Sequence, residues 1–524
     1  MNDKIPSGWC GVTLDDIAVW GSGGTPSRKN PEYFTGNIPW FKTGELGNKY
    51  IYDSEEKITE SAIENSSAKV FPKESVGIAM YGATIGKLSI WGTDASTNQA
   101  CAVAQCYTSG VNNQFLYYYL MSEKRSLIKE GKGGAQPNIS QNILKAWPFY
   151  LPPLNEQSRI VSKIEELFSE LDSGIKSLTK AKQQLSVYRQ ALLKQAFEGK
   201  LTEQWRSDNP DKLGSPLEIL KRLKLERDER YQQKLDEWEA AANKWEQDGS
   251  EGKKPSKPRK PKAVTQFNSD LPDYCHSLPE SWFWEKLGHM TLAVEYGTSA
   301  KSSESGRVPV LRMGNIQNTK FDWDDLVFTS DEDEISKYIL KAGDVLFNRT
   351  NSPELVGKTA KYNGERDALF AGYLIRVNHF DNFVNSDYLN LFLNSYVSKQ
   401  YGSSVKTDGV NQSNINGEKL SNYPFPYCAL AEQERVVQIL EEKISKIERS
   451  ESEISMNLKK AELLRQSILK KAFSGQLVPQ DPEDEPASEL LKKIAIEKEE
   501  LVEKEKADKA AARKKKATAK VTVK

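Results

Sequence analysis

Between residues 155 and 198 the chain carries no proline, and apolar side chains return at Ile160, Ile164, Leu167, Leu171, Ile175, Leu178, Leu185, Leu192 and Ala196. Steps of three, four and seven put these on one stripe of a helix, close to a heptad seam. A second run repeats the stripe at Val437, Leu440, Ile444, Ile447, Ile454, Leu458, Ala461 and Ile468. Pro152 and Pro153 precede the first helix, and Gly199 and Gly475 stand where a left-handed cap would end each one. At ~1.5 Å per residue such a helix is a rod on the order of 65 Å long. One narrow stripe does not hold a helix in water, so each rod needs a partner, and the other copy is the nearest. Outside the rods the period changes. VGIAMYG and DVLFNRT are short strand patterns among Gly-, Asn-, Ser- and Pro-rich loops such as GSGGTPSRKNPEY. QFLYYYLMSEKRSLIKE and SDYLNLFLNSYVSKQYG are helical patterns near the end of each globular part, so residues 1–150 and 271–427 are each predicted α+β.

The similarity of the two stripes belongs to a longer repeat. QPNISQNILKAWPFYLPPLNEQSRIV, from Gln136, matches QSNINGEKLSNYPFPYCALAEQERVV, from Gln412, without a gap. The same register pairs Asn138 with Asn414, Glu156 with Glu432, Gln157 with Gln433, Phe197 with Phe473 and Gly199 with Gly475. Upstream the match is looser: Trp9 pairs with Trp282, and IPWFKTGEL with VPVLRMGNI. The chain therefore divides into a globular half (1–154), a constant helix (155–201), a charged helix with a basic Pro/Lys linker (202–270), a second globular half (271–430), a second constant helix (431–478) and a charged tail (479–524). The linker, GKKPSKPRKPK, is expected to be extended and solvated, and the 202–270 and tail segments to stand outside the repeat. If the helices pair antiparallel, the halves lie at opposite ends of a two-helix rod, related by a pseudo-two-fold axis. That is the plan of a dimeric DNA reader made from one chain, with half-sites a turn, ~34 Å, or a multiple of it apart. Halves that have diverged would read an asymmetric, split target.

Charge neither supplies nor removes that partner. Lys+Arg and Asp+Glu are both 73, so the net charge is zero and binding must rest on local patches. The mean hydropathy of −0.63, with no long apolar run, predicts a soluble, cytoplasmic chain with some solvated segments. The N-terminus lacks an apolar signal core. Cys10, Cys101, Cys106, Cys275 and Cys428 show no CxxC pair, and the three histidines offer little for metal or triad chemistry. Catalytic motifs fail on inspection. Gly357-Lys358-Thr359 ends like a P-loop but has Ser352 where the first glycine belongs. Asn30-Pro31-Glu32-Tyr33 approaches an amino-methyltransferase tetrapeptide but is broken by the glutamate. Asp211 with Glu251 and Lys253 mimics a nuclease motif in a polar segment with no core to fix it.

Specific reading needs Arg or Lys toward guanine and Asn or Gln toward adenine, while phosphate contacts need basic or small polar groups. In the first half Arg28, Lys29, Lys42, Tyr81, Lys87, Lys132, Gln136 and Asn138 meet these terms in or beside Gly/Ser/Asn-rich loops. In the second half Arg312, Asn348, Arg349, Lys358, Lys406, Gln412 and Asn414 do. Gln136/Gln412 and Asn138/Asn414 are identical in both copies, which suits a shared loop better than the reading of two different sequences. The run GSGGTPSRKNPEYFTGNIPWFKTGEL (21–46), KAGDVLFNRTNSPELVGKTA (341–360) and the pattern PFxLPPLxEQxRIV followed by LLKQAFxGKL resemble the specificity subunits of type I restriction–modification systems. The second copy departs from PPL, reading CAL at 428–430. The resemblance implies two target recognition domains separated by an antiparallel two-helix coiled coil. It also implies double-stranded DNA, two modification (methyltransferase) subunits and restriction (translocase/nuclease) subunits as partners. It implies no catalysis and no cofactor in this chain, with S-adenosylmethionine, ATP and Mg2+ belonging to the partners. The rival readings are a coiled-coil scaffold without DNA recognition, and an enzyme in its own right.

Overall fold

The computed structural model describes residues 5–131, 138–250, 254–258, 260, 267 and 271–521, without the side chains of 505 and 508–521. It divides into two units, Met1–Thr179 with Ser455–Lys524, and Lys180–Ile454. Each contains one globular half and stretches of both long helices.

In the first unit a sheet runs in the order Ala18–Ser22, Cys101–Cys106, Val76–Ala79, Leu88–Trp91, Tyr50–Ile51, antiparallel up to the last, parallel pairing. A smaller sheet sets Ile38–Phe41 between antiparallel Lys57–Ile58 and parallel Ser96–Thr97. Cys10–Thr13 pairs with Pro148–Leu151 and closes the half on itself. The second unit repeats this wiring. Its larger sheet is Thr291–Tyr296, Leu374–His379, Val345–Asn348, Thr359–Lys361. Its smaller one sets Val308–Leu311 between Val327–Thr329 and Leu369–Phe370, again one antiparallel and one parallel pair, and Phe283–Lys286 pairs with Pro424–Tyr427. The cores are filled differently on this shared frame. Trp91 lies over Gly77, where an added Cβ would stand 2.1 Å from the ring, whereas Leu346 fills the corresponding strand position of the second unit.

The predicted strands VGIAMYG and DVLFNRT are the central strands of the two large sheets. QFLYYYLMSEKRSLIKE forms one helix, Asn113–Glu130. Its counterpart is broken into Ser386–Leu393 and Tyr396–Val405. The break is chemical: the Asn394 amide donates to Thr359 Oγ1 at 2.6 Å, and the Ser395 side chain caps the second helix.

The long helices run Leu154–Phe197 and Leu430–Phe473, 44 residues each. Gly199 (φ +71°) and Gly475 (φ +69°) follow them in the left-handed conformation, as their sequence position predicts. In the first unit Ile160, Ile164 and Phe168 share a buried cluster with Ile468, Leu469 and Ala472, and Arg465 pairs with Asp172 and stacks on Phe168. In the second, Leu192, Leu193, Ala196 and Phe197 share one with Val436, Leu440 and Ile447, and Arg189 meets Glu451 at 3.1 Å. The opening stretch of one helix thus meets the closing stretch of the other in both units. The stripe is fully buried only beside a globular half; Leu171, Ile175, Leu178 and Leu185 are half-buried, because a single partner helix covers only part of a seam.

Each half holds its helix through the repeated Glu-Gln pair. The Asn112 backbone N–H donates to Gln157 Oε1 at 2.8 Å, and Gln157 Nε2 donates to the carbonyls of Gly110 and Pro152, both at 3.0 Å. Gln433 does the same with the Asn385 N–H (2.9 Å) and the carbonyls of Phe383 and Cys428 (both 2.8 Å). Asn112 and Asn385 are themselves N-caps, so the glutamine ties the long helix to the start of the neighbouring one. The glutamates have diverged. Glu156 accepts from Trp9 Nε1 at 3.0 Å, and burial pushes its carboxyl above the usual range. Glu432 instead receives Arg206 at 2.6 Å and Thr202 at 2.7 Å.

The charged segments form helices as expected, Pro216–Gln247 and Ala487–Val521, and their opening turns are packed into the units (Ile219 and Leu223; Leu490 and Ile494). The linker expectation is corrected. The described stretch of the linker, 254–258, does not stand free. Lys254 and Lys257 lie over the rings of Trp245 and Trp238, and Trp238 Nε1 donates to the Pro255 carbonyl at 3.0 Å, because the preceding helix offers aromatic faces to the cations. The Asp211/Glu251/Lys253 pattern lies partly outside the described residues. All five cysteines are unpaired, and burial raises the Cys101 thiol to about 12.

Two predictions follow from these anchors. Gln157→Ala and Gln433→Ala each leave buried backbone groups unmatched and should cost about 3 kcal/mol, read as a fall in unfolding midpoint in denaturant. Arg159 forms a two-pronged pair with Asp484 (2.5 and 3.2 Å) and holds that carboxyl below the usual aspartate range. Its contribution is therefore complete above the ordinary value of 3.8 and drains away as pH falls through the depressed one. Asp484→Asn should destabilise the chain by about 1–2 kcal/mol at neutral pH, with the gap to the parent closing in acid denaturation.

Candidate nucleic-acid interface

In the first half the cations gather around residues 42–56. Arg28 lies 4.2 Å above the Phe34 ring and pairs with Glu56 at 2.7 Å, holding that carboxyl below its usual range. Lys42 pairs with Glu55 at 2.8 Å, which raises its ammonium pKa. Lys87 donates to the Gly44 carbonyl at 3.0 Å, so it points at the same loop. Lys29 is exposed, with no ion-pair partner among the described residues. Tyr81 bridges to Asn138, and the Ile139 N–H donates to Met80 at 2.8 Å. Lys132 and Gln136 lie outside the described residues.

In the second half Asn414 occupies the place of Asn138. It pairs with Thr350 in the strand register and donates from Nδ2 to Thr350 Oγ1 at 2.7 Å, while the Ile415 N–H donates to Arg349 at 2.8 Å. The repeated asparagines therefore shape a common loop, as their identity suggests. Thr407–Asp408 and Ser413–Asn414 make a finger whose tip carries exposed Gln412 and, almost entirely free, Val410. Arg349 is held over the Tyr296 ring at 4.9 Å and donates to the Gly372 carbonyl at 3.1 Å. Arg312 pairs with exposed Asp325 at 3.1 Å. Asn348 is fully buried, and its amide has no hydrogen-bond partner among the described residues, so it does not present a base-reading edge to solvent. Its place at the end of a central strand explains this: the loop composition suggested exposure, but the pleat turns the side chain inward.

Lys358 and Lys406 open onto a cleft of about 440 Å³ whose walls also carry Arg189 from the first long helix and Lys399 from Tyr396–Val405. Arg189 is tied to Glu451 and Lys406 to Asp408 at 2.8 Å, but Lys358 and Lys399 have no ion-pair partner among the described residues. Lys399 is an exposed residue, but the cleft walls around its ammonium desolvate it and hold it below the ordinary lysine range. Glu354 is the one carboxylate on the described walls. The charged groups on its walls are therefore mostly cationic. Sequence reasoning missed Arg189, Lys399 and Val410. The seven-residue step from Lys399 to Lys406, on one helical face, was the available signal for the second. Among the described residues no group of His, Cys, Asp and Glu could hold a metal, and no helix is long and apolar enough to cross a membrane.

The sequence matches the family described as "Type I restriction modification DNA specificity domain" over residues 6–181 and 295–459. It is 23% identical over 519 residues to the type I restriction enzyme EcoKI specificity subunit of Escherichia coli K12, covering 94% of this chain and 96% of that one. It is 27% identical over 190 residues to the EcoR124I/EcoR124II specificity subunit of Escherichia coli, covering 34% of this chain and 47% of the relative, about half its length. In fold it resembles a chain from a solved structure concerned with complex assembly and conformational transition of the type I R-M system. The TM-score is 0.64 at 17% identity, over 90% of this chain and 100% of that one.

Proposed function

Because the chain belongs to the type I restriction–modification DNA specificity family, we propose that it is the subunit that reads a split, asymmetric DNA target and brings the methyltransferase and restriction subunits to it. It recognises sequence and performs no catalysis. The carrying observation is the duplicated wiring of the two halves with differing side chains at the loops. A common frame presents Arg28 and Lys42 on the loops of one copy, and Arg312 and a finger tipped by exposed Val410 and Gln412 on those of the other. One frame with two sets of side chains suits two unlike half-sites; a scaffold without DNA recognition has no use for that divergence.

The two long helices act as an antiparallel coiled-coil spacer that sets the distance between half-sites. Two modification subunits dock on its outward faces. The repeat supports this, since Val187 (70% exposed) and Tyr188 (50%) correspond to Leu463 (67%) and Leu464 (50%). The same apolar pair is left open twice. S-adenosylmethionine, ATP and Mg2+ serve the partners, in the cytoplasm. Within each half the paired cations Arg28, Lys42, Arg312 and Lys406 are pre-oriented by carboxylates, and on binding they exchange these for phosphates. Lys358 and Lys399 need no exchange and take the DNA backbone directly. Arg349 and the finger face the bases.

Two experiments test this. Replacing residues 1–150 with the matching half of another family member should change one half of the methylated target, mapped by adenine modification in host DNA; a change in both halves overturns the modular reading. Lys358→Ala and Lys399→Ala should each flatten the dependence of log affinity on log salt by about 0.9 and weaken cognate and scrambled duplexes alike. A loss confined to the cognate duplex would assign them to base reading instead.

A further inference from the structure

The two charged helices predicted to lie outside the repeat belong to it. Glu-Ile-Leu-Lys-Arg-Leu from Glu218 corresponds to Glu-Leu-Leu-Lys-Lys-Ile from Glu489, and the match continues to Glu229 and Glu500, with Lys224/Ala495 the one unlike pair. Burial follows the same order in both copies and differs only at Glu218/Glu489 and Arg227/Lys498. Packing agrees with the sequence. Ile219 and Leu223 enter the second unit's core as Leu490 and Ile494 enter the first's. Each helix also covers the loop that leads to the N-cap asparagine of the half it braces. Arg222 lies 5.3 Å over the Phe383 ring, while Ile494 crowds Gly110, the matching position, and Glu497 accepts the backbone N–H groups of Thr108 and Ser109.

The inward face explains why the helices stay, but not what their outward faces share. Leu225 and Ile496 occupy the same repeat position, and each is 59% exposed. One turn before each stands an exposed lysine (Lys221, Lys492), and three residues after each an exposed acid (Asp228, Glu499). At 100° per residue these fall together on the side opposite the buried pair. A single exposed aliphatic side chain is ordinary on a helix, but here two diverged copies retain one at the same repeat position between the same charges. A surface present twice in one chain, in matched units, fits a partner present twice.

We propose that these helices are a duplicated docking arm, one per unit, each receiving one copy of the modification subunit through an apolar contact at Leu225 or Ile496 flanked by a cation and an acid. This rests on the functional reading above, which places two copies of that subunit on the chain. The test uses the full chain with purified modification subunit, with complex mass from native mass spectrometry and affinity from titration. The parent should bind two copies. Leu225→Glu and Ile496→Glu should each weaken one copy at least ten-fold and leave the other, and the double variant should weaken both. Lys221→Glu and Lys492→Glu, changes at exposed side chains that leave the core intact (Lys492 gives up its pairing with Glu489 at 2.8 Å), should act in the same one-copy manner. Single variants that keep two copies at parental affinity, or that change only capture of the restriction subunit, overturn the docking arm. A parent chain that binds no modification subunit overturns the functional reading beneath it, and is distinguished because the parent itself fails.

Discussion

The structure depends on a buried glutamine. A long helix leaving a globular half must leave in a fixed direction, and backbone groups at the junction cannot go unpaired once water is excluded. Gln157 and Gln433 meet both demands, each taking one N–H and giving two bonds to carbonyls in a space closed to solvent. An amide suits this junction because it is donor and acceptor together; a carboxylate could only accept, and a hydrocarbon would leave three groups unmatched. The bonded loop also starts the neighbouring helix and receives the docking arm. Helix, head and arm are therefore fixed at one point in each unit.

Charge obeys a similar local economy. A chain with no net charge approaches a polyanion without long-range attraction, so its discrimination must come from short-range groups. Pairing most candidate cations with carboxylates keeps their side chains ordered, and reduces the entropy lost when a phosphate replaces the carboxylate. The exchange is nearly even in charge, which limits affinity for arbitrary DNA. In the proposed function Lys358 and Lys399, which have no ion-pair partner among the described residues, take the positional, sequence-blind part of binding, and Arg349, held over Tyr296, the reading of an edge.

Much of this was legible in the sequence. The 3.6-residue stripe gave both long helices and their glycine ends, and the repeat gave the equivalence of the halves before any coordinates. What the sequence hid were effects of packing. The stripe did not reveal that burial stops where a half no longer covers it. Asn348 stood as a candidate contact because its amide suits adenine, yet its place at the end of the strand turns it inward. The arms escaped notice because substitutions such as Ile219/Leu490 and Arg222/Lys493 preserve chemistry rather than letters, and because the segments between each long helix and its arm differ in length. Once the same loop is seen under both arms, the register is plain.

The distribution of likeness and difference between the copies is itself informative. Positions that repeat in kind include the buried junction glutamines and the capping asparagines, which hold the fold, and the exposed Val187/Leu463 pair and arm residues Leu225/Ile496, which the proposal assigns to a partner present at both ends. Positions that differ include the loops around residues 28 and 312 and the finger, the parts that the proposed function sets against two unlike half-sites. A duplicated chain subject only to folding would diverge on its surface and agree in its core. Here most paired core positions agree, as at Trp9/Trp282, Ile139/Ile415, Leu144/Leu420 and Phe149/Phe425, with an exception at Gly77/Leu346, and selected surface positions agree as well, which folding alone does not require. That surface agreement is what the proposed function asks of a molecule with two like handles for its subunits and two unlike faces for DNA.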